Sequence, residues 1–410
     1  MKVLVYEHVS GGGFAAEPTL PSVLCEGFGM LRTLIADFKA AGHSVTTTLD
    51  SRIAKLNPPI KADCVVPISS SKEAEVNLKK ISDRVDAVYV ISPETDDALR
   101  SRVKLIEQTK AASLNCPASA IEKVSNKADF HNFLKKHRIL TPETLVFSVF
   151  DNVAEINHAI RGCLNFPLIF KPSDGVSCCG LSVVRNEDHI ADAVNKIKKE
   201  SSSEQFLVQE LVEGAAASVS LFSAGGRAVS IGLNRQDVKI ETPEACSMYR
   251  GGLVPFDNRL RLEAFAAAKK IVESIPGLRG YVGVDIALTE DKVVALEVNP
   301  RLTTSYVGIR TVVNFNLAQA IVNAVLKCGL PKQIKSCNYA YFSKFEAPNP
   351  QVDAFQKICG MNDVVSPPFP VSENASASAL IASYGATSKE AKIRFSEAKK
   401  RVLSTISRGK

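Results

Sequence analysis

Tryptophan is absent from the sequence, and its 410 residues hold only four methionines and six histidines. The histidines are scattered and form no HExxH pair, which removes the commonest zinc-hydrolase pattern. Ten cysteines occur without a CxxC, and several lie inside apolar runs. This usage fits reduced thiols and a cytoplasmic location rather than a disulfide framework. The adjacent Cys178 and Cys179 are expected to be small loop residues, because neighbouring cysteines bridge only with strain. No GxSxG elbow and no convincing Cys/His pair is present, so no covalent protein nucleophile is indicated. Uncharged apolar runs fall well short of the roughly 18 residues of a membrane span. The opening MetLysValLeuValTyr run is shorter than a signal-peptide core of about 7–15 residues and reads as a first strand. A soluble protein is expected, with no membrane partner.

Apolar residues make up 45% and charged residues 23% of the chain, a globular composition long enough for two to four domains. The net charge is +7, but the stretch 389–410 alone carries eight Lys/Arg against two Glu. Such a tail is read as a solvated helical face. With no binding motif and no interleaved aromatics, no nucleic-acid partner is expected.

The first hundred residues alternate strands and helices: strands near Val3, Ser44, Asp63 and Ala87, and helices over 26–41, 72–85 and 93–110. Phe28, Leu31, Leu34, Ile35 and Phe38 form one apolar stripe, and Gly42 stops that helix. The pattern predicts a small doubly wound, Rossmann-like domain over 1–112. Gly11 to Gly13 follow the first strand but lack the full GxGxxG spacing, and the helix is delayed by about a dozen residues. A substrate-facing loop is the better expectation.

After Ser113 the pattern becomes α+β. A small subdomain is assigned to 113–204, a larger one with antiparallel strands to 205–330, and a C-terminal extension to 331–410. Gly225 and Gly226 mark a hairpin turn.

The strongest chemical signal is Asp285, twelve residues before Glu297 and fourteen before Asn299, all in strand-like runs. With a turn at Glu290–Asp291, strand alternation puts Glu297, Asn299 and Arg301 on one face and Asp285 opposite. Hard oxygen ligands of this kind suit Mg²⁺ shared with phosphate. Arg301, permanently charged and planar, would stabilise a transferring phosphoryl group. Lys171 interrupts the apolar strand ProLeuIlePheLysPro, where an unpaired ammonium is costly and calls for an anion. The loop from Ser173 through Asp174 and Gly175 to Gly180 follows at once, and its backbone N–H groups could approach phosphate oxygens. Lys127, at the start of a helix, is a second candidate phosphate contact.

AsnLysAlaAspPhe from Asn126, PheProLeuIlePheLysPro from Phe166, ValGlnGluLeuValGluGly from Val208 and GluValAsnProArg from Glu297 resemble, in order and spacing, the successive motifs of the ATP-grasp superfamily over about 113–330. The resemblance implies an ATP-grasp fold behind a pre-ATP-grasp domain. It implies that Lys127 and Lys171 bind ATP phosphates and that Gln209, Glu210, Leu211 and Val212 form the hinge that reads adenine. Asp285, Glu297 and Asn299 would hold two Mg²⁺, with Mn²⁺ able to substitute. Where many relatives carry a ribose-binding acid this chain has Ala215 to Ser218, and Glu213 is the substitute expected.

TyrGluHisValSerGlyGlyGly near the N-terminus, GluGlyPheGlyMetLeu, AsnArgGln at Asn234 and TyrArgGlyGlyLeuValProPhe at Tyr249 are similar to a branch of that superfamily which joins glutamate to tyramine in archaeal methanofuran synthesis. This implies a γ-carboxylate donor and an amine acceptor, both small molecules, and a homodimer is a further expectation. Tyr249 and Arg250 are candidates for the donor site, Arg250 either clamping an α-carboxylate or lying exposed in a hairpin. Glu7 and Ser10 are the alternative donor contacts. Two other functions stay open: an ATP-grasp ligase or carboxylase with another substrate, and an ATP-binding sensor without turnover.

Overall fold

The computed structural model describes residues 1–175, 178–371 and 376–408. Val176 and Ser177, in the middle of the expected phosphate loop, lie outside them.

Five parallel strands form the N-terminal sheet: β1 (Lys2–Glu7), β2 (Ser44–Asp50), β3 (Cys64–Ile68), β4 (Ala87–Ile91) and β5 (Ala112–Ser113), in the order β3-β2-β1-β4-β5. Val3 and Val5 pack with helix Pro21–Ala40 on one face, while Leu4 and Tyr6 pack with helices Ser71–Ser82 and Ala98–Glu107 on the other. The connections therefore change face between β1 and β4, the point at which open α/β sheets form a crevice beyond their strand ends. The helix expected from 26 begins at Pro21, because a proline in the first turn forfeits a donor that would have no partner there. The glycine run ahead of it folds as a tight helical turn, Val9–Gly13. Gly12 needs its positive φ of 103°, and a Cβ there would meet Ile68 at 2.5 Å.

A four-stranded antiparallel sheet follows: β6 (Thr144–Ser148), β7 (Leu168–Pro172), β8 (Ser182–Val184) and β9 (Gln205–Glu210), ordered β6-β9-β7-β8. It has its own core around Ile156, Phe170, Ile190 and Phe206.

The large antiparallel sheet is built from β10 (Ala215–Ala224), β11 (Arg227–Lys239), β12 (Met248–Val254), β13 (Gly280–Leu288), β14 (Val293–Asn299), β15 (Tyr339–Pro348), β16 (Val364–Ser366) and β17 (Ser376–Gly385). Its order is β14-β13-β10-β11-β12-β15-β17-β16. Gly225 and Gly226, both at positive φ, turn β10 into β11. The sequence sets 331–410 apart as an extension, yet its strands continue this sheet, with β15 taking the open edge of β12 from Gly251↔Ser343 to Val254↔Ala340. The basic helix Ser388–Arg408 buries Ala391, Ala398, Val402 and Ile406 against those strands. Among the described residues no helix is long and apolar enough to cross a membrane.

One ion-pair network ties the N-terminal domain to the large sheet. Asp37, on helix Pro21–Ala40, accepts from the Tyr306 hydroxyl at 2.7 Å and from Arg310 Nε at 2.9 Å, and pairs again with the second Arg310 nitrogen. Asp37→Ala would leave a mostly buried guanidinium uncompensated, an arrangement that costs about 3 kcal/mol or more. Urea unfolding should show that loss of stability, and a change of under about 0.5 kcal/mol would refute the anchoring role.

Candidate active site

The three sheets converge on one cavity of about 1080 Å³. Its floor is the β13–β14 ladder, where Asp285 is the register partner of Glu297 and Gly283 that of Asn299. The pairing follows from the hairpin at Thr289–Lys292, so the expected convergence of the two acids is met. Asn299 Nδ2 donates to Asp285 Oδ2 at 3.1 Å, and Gln236 Nε2, from β11, donates to Oδ1 at 3.0 Å.

Lys127 reaches the same floor from the helix Lys127–Lys136, whose N-terminus is capped by the Asn126 side chain. Its Nζ donates to the Gly175 carbonyl at 2.7 Å and lies 3.5 Å from Glu297 Oε2. Lys171 lines the cavity from β7 and donates no hydrogen bond to a described residue. Burial lowers its pKa to about 8, with Lys127 adding and Glu297 opposing.

The two acids differ. Burial, and then the Glu297 charge, push Asp285 well above the usual carboxylate range. At Glu297 burial also opposes ionisation, but Lys127 and Lys171 outweigh it and the net shift is downward. Two facing carboxylates, one of them driven to hold a proton, are what a divalent cation would relieve, so the donor set fits hard-metal binding.

Arg301 follows the end of β14 and lines the cavity, but it is not free. Glu94, just past β4, takes its Nε at 2.9 and 3.0 Å and its second terminal nitrogen at 2.7 Å, and Nη1 donates to the Leu302 carbonyl. Glu94 was not singled out from the sequence. Its position beyond a parallel strand end was the available signal. Gln236 was likewise missed, although AsnArgGln was noted. Its neighbour Asn234 is fully buried and holds β10 through Ser218 and Ser220.

Gln209, Glu210, Leu211 and Val212 all line the cavity. Gln209 Nε2 is held by Thr144, the Glu210 carboxylate accepts from Asn165, and the Leu211 N–H is spent on the Pro167 carbonyl. Gly175 and Tyr249 also line it, as does Glu7 at the N-terminal end.

Four candidates stand elsewhere. Arg250 is exposed and outside the cavity lining, at a bulge where the β11–β12 register steps from Gly251 to Tyr249; its Nε sits by Met248 Sδ. This placement, within β12 rather than in a hairpin loop, lends no support to a donor clamp at Arg250. Glu213 is exposed beyond the hinge and outside the lining, between Val212 and Gly214, which both line the cavity. Asp174 is also outside the lining, and its carbonyl accepts from Thr95. Ser10 is fully buried and serves Glu7 instead, donating through both N–H and hydroxyl. A further pair absent from the sequence reading, Lys344 with Glu26, stands beside Tyr249, with Thr304 donating to the same Glu26.

Known sequences and folds show what the chain as a whole is similar to. A profile of the ATP-grasp domain matches residues 124–305, and one of the pre-ATP-grasp 3 domain matches 43–121, together more than half of the chain. The chain belongs to the ATP-grasp superfamily. It is 29% identical over 311 residues to the tyramine–L-glutamate ligase of Methanocaldococcus fervens, covering 75% of this chain and 89% of that protein. The L-amino acid ligase of Bacillus licheniformis superposes with a TM-score of 0.69 at 13% identity, covering 97% of each chain. Biotin carboxylase from Campylobacter jejuni gives 0.72 at 12% identity over 97% of this chain and 90% of that one, a likeness of fold alone.

Glu94→Gln removes the charge from a pair whose side chains are only 14% and 7% exposed. It should destabilise the protein by about 2 kcal/mol, with much of the loss recovered when Arg301→Gln is added. Additive losses in the double variant would show that the two side chains do not depend on each other.

Proposed function

We propose that this ATP-grasp protein is a carboxylate–amine ligase that joins the γ-carboxylate of L-glutamate to tyramine or a close aryl-ethylamine, releasing ADP and phosphate. The observation that carries the reaction class is the Asp285–Glu297 rung set against Lys127 and Lys171 in one cavity. The substrate pair rests on the relatives from Methanocaldococcus.

In this reading Lys127 and Lys171 neutralise phosphate oxygens and the hinge Gln209–Val212 borders the adenine. Asp285, Glu297 and Asn299 would hold two Mg²⁺, whose contribution when bound is to screen the triphosphate charge. A donor carboxylate oxygen attacks the γ-phosphorus, the bond to the β–γ bridging oxygen breaks, and ADP leaves. Arg301, fixed by Glu94, sets a permanent positive charge beside the phosphoryl oxygens. The ammonium of the acceptor gives one proton to solvent, the neutral amine nitrogen then attacks the acyl carbon, the bond from that carbon to the phosphate oxygen breaks, and the departing phosphate takes up the second nitrogen proton. Every bond made or broken lies in the substrates, in keeping with the lack of a protein nucleophile.

ADP release should require both L-glutamate and an aryl-ethylamine when acids and amines are tested as a matrix. Release with bicarbonate and no amine would indicate a carboxylase, and tight ATP binding without release in any combination would indicate a sensor. Glu297→Gln should lower ADP release by about a hundredfold or more while the melting temperature stays within a few degrees, since the lost charge serves cation and phosphate rather than packing. Lys171→Ala should raise the ATP dissociation constant by about tenfold or more without lowering the melting temperature, because it deletes a desolvated ammonium. Unchanged nucleotide affinity with a collapsed melting temperature would make Lys171 structural.

A further inference from the structure

At its N-terminal end the cavity is bounded by three carboxylates that are at least nine-tenths buried: Glu7, Glu26 and Glu94. Two of them have a permanent counter-charge. Glu94 is paired with Arg301, and Glu26 with Lys344. Glu7 is 2% exposed and has no ion pair among the described residues. It accepts only from neutral donors: the Val9 N–H at 3.0 Å, the Ser10 N–H at 2.5 Å and the Ser10 hydroxyl at 2.6 Å. A carboxylate offers about four acceptor sites, so one remains. Burial raises the Glu7 pKa, opposed by the Ser10 and Val9 hydrogen bonds and then by the charge of Arg301, and a cation docked on the remaining acceptor site would hold the carboxylate ionised.

Position and surroundings narrow the cation to an organic one. Glu7 ends β1, opposite Ile91 on β4, at the crevice where the connections of the parallel sheet change face. Helix Pro21–Ala40 presents a glycine there: a Cβ on Gly27 would lie 2.6 Å from Glu7 Oε1. On this side the cavity is lined by the apolar Val9, Phe14, Leu20, Val23 and Met30, interspersed with His8, Glu17 and Thr19, on the delayed loop and the first half of the helix. A hydrated metal ion gains nothing from that wall. A primary ammonium carrying an aromatic or aliphatic body gains from both.

We propose that Glu7 receives the ammonium of the amine acceptor and that the wall from Val9 to Met30 holds its apolar body. The assignment rests on the ligase function above and specifies which end of the shared cavity takes the second substrate.

Two measurements on the full-length protein test it. In Glu7→Gln, which keeps the side-chain size and an acceptor oxygen for the Val9–Ser10 turn, the KM for tyramine should rise by about tenfold or more, with the KM values for ATP and glutamate changed by under about twofold. Equal tyramine KM values in the two proteins would overturn the proposal. The second measurement needs no variant and so survives any folding defect. N,N-dimethyltyramine keeps a cationic nitrogen but cannot form the amide, and 4-ethylphenol lacks the nitrogen. The first should inhibit unmodified protein at a concentration about tenfold or more below the second. Equal potency would mean that no anion reads the ammonium. A hydroxylamine trap separates this failure from that of the ligase function: unmodified protein given ATP, glutamate and hydroxylamine should form γ-glutamyl hydroxamate. Absence of the hydroxamate removes the acyl phosphate itself. Its presence alongside an unchanged tyramine KM in Glu7→Gln removes only the Glu7 assignment.

Discussion

Two like charges meet across one rung of an antiparallel ladder, and the site is arranged around that repulsion. Asp285 and Glu297 are register partners on strands buried from most solvent, so neither can be moved away without shifting the hairpin. Lys127 and Lys171 favour charge on Glu297, and the amides of Gln236 and Asn299 each hold one oxygen of Asp285. Even so, the protein alone leaves Asp285 biased towards its protonated form, first through burial and then through its neighbour. An additional cation on this rung removes the conflict directly, which is why hard-metal binding is the natural use of the geometry.

The same cavity depends on a second constraint, the placement of one domain against the other. Three largely buried ion pairs run from the N-terminal domain to the remainder of the chain: Asp37 with Arg310, Glu94 with Arg301, and Glu26 with Lys344. In each, the acid belongs to the parallel-sheet domain and the base follows or lies within the large sheet. Such pairs give little net stability over well-packed apolar residues, but they punish misregistration, because a displaced partner leaves a charge without its counter-charge. They therefore act mainly as alignment devices. The Lys344 pair also ties the C-terminal strands to Glu26, which lines the cavity, a link that their position in the chain does not suggest.

Much of this was legible in the sequence because the informative signals were local. Alternation and spacing placed Asp285 opposite Glu297, and a single lysine in an apolar strand marked Lys171. The glycine pair at 225 and 226 fixed a hairpin, and the strand–helix alternation up to Ser113 announced the parallel sheet. What was not legible depended on contacts between distant segments. Glu94 gains its meaning from Arg301, 207 residues away, and Glu26 from Lys344, 318 residues away. Arg250 is a different case. A charged residue beside glycines invites a ligand role, whereas the β11–β12 register steps past Arg250 at a bulge and the side chain is exposed, a feature of strand pairing that local sequence does not reveal.

The balance of charge in the cavity explains why one site can admit substrates of opposite sign. At the β13–β14 end, Lys127 and Lys171 stand against Asp285 and Glu297, and Arg301 is already matched by Glu94. A triphosphate entering there would bring several further negative charges, which a divalent cation held by Asp285, Glu297 and Asn299 would help to offset. At the β1–β4 end Glu26 and Glu94 are matched by Lys344 and Arg301, while Glu7, Glu17 and Asp96 face one unpaired cation, Arg102, so the lining there is acidic among the described residues. An anionic donor is favoured towards the lysines and a cationic acceptor towards Glu7, and in a partly desolvated cavity such differences are felt more strongly than in water. Under the proposed function the two substrates would thus be sorted by sign before shape distinguishes them, the amine towards Glu7 and the donor towards the lysines.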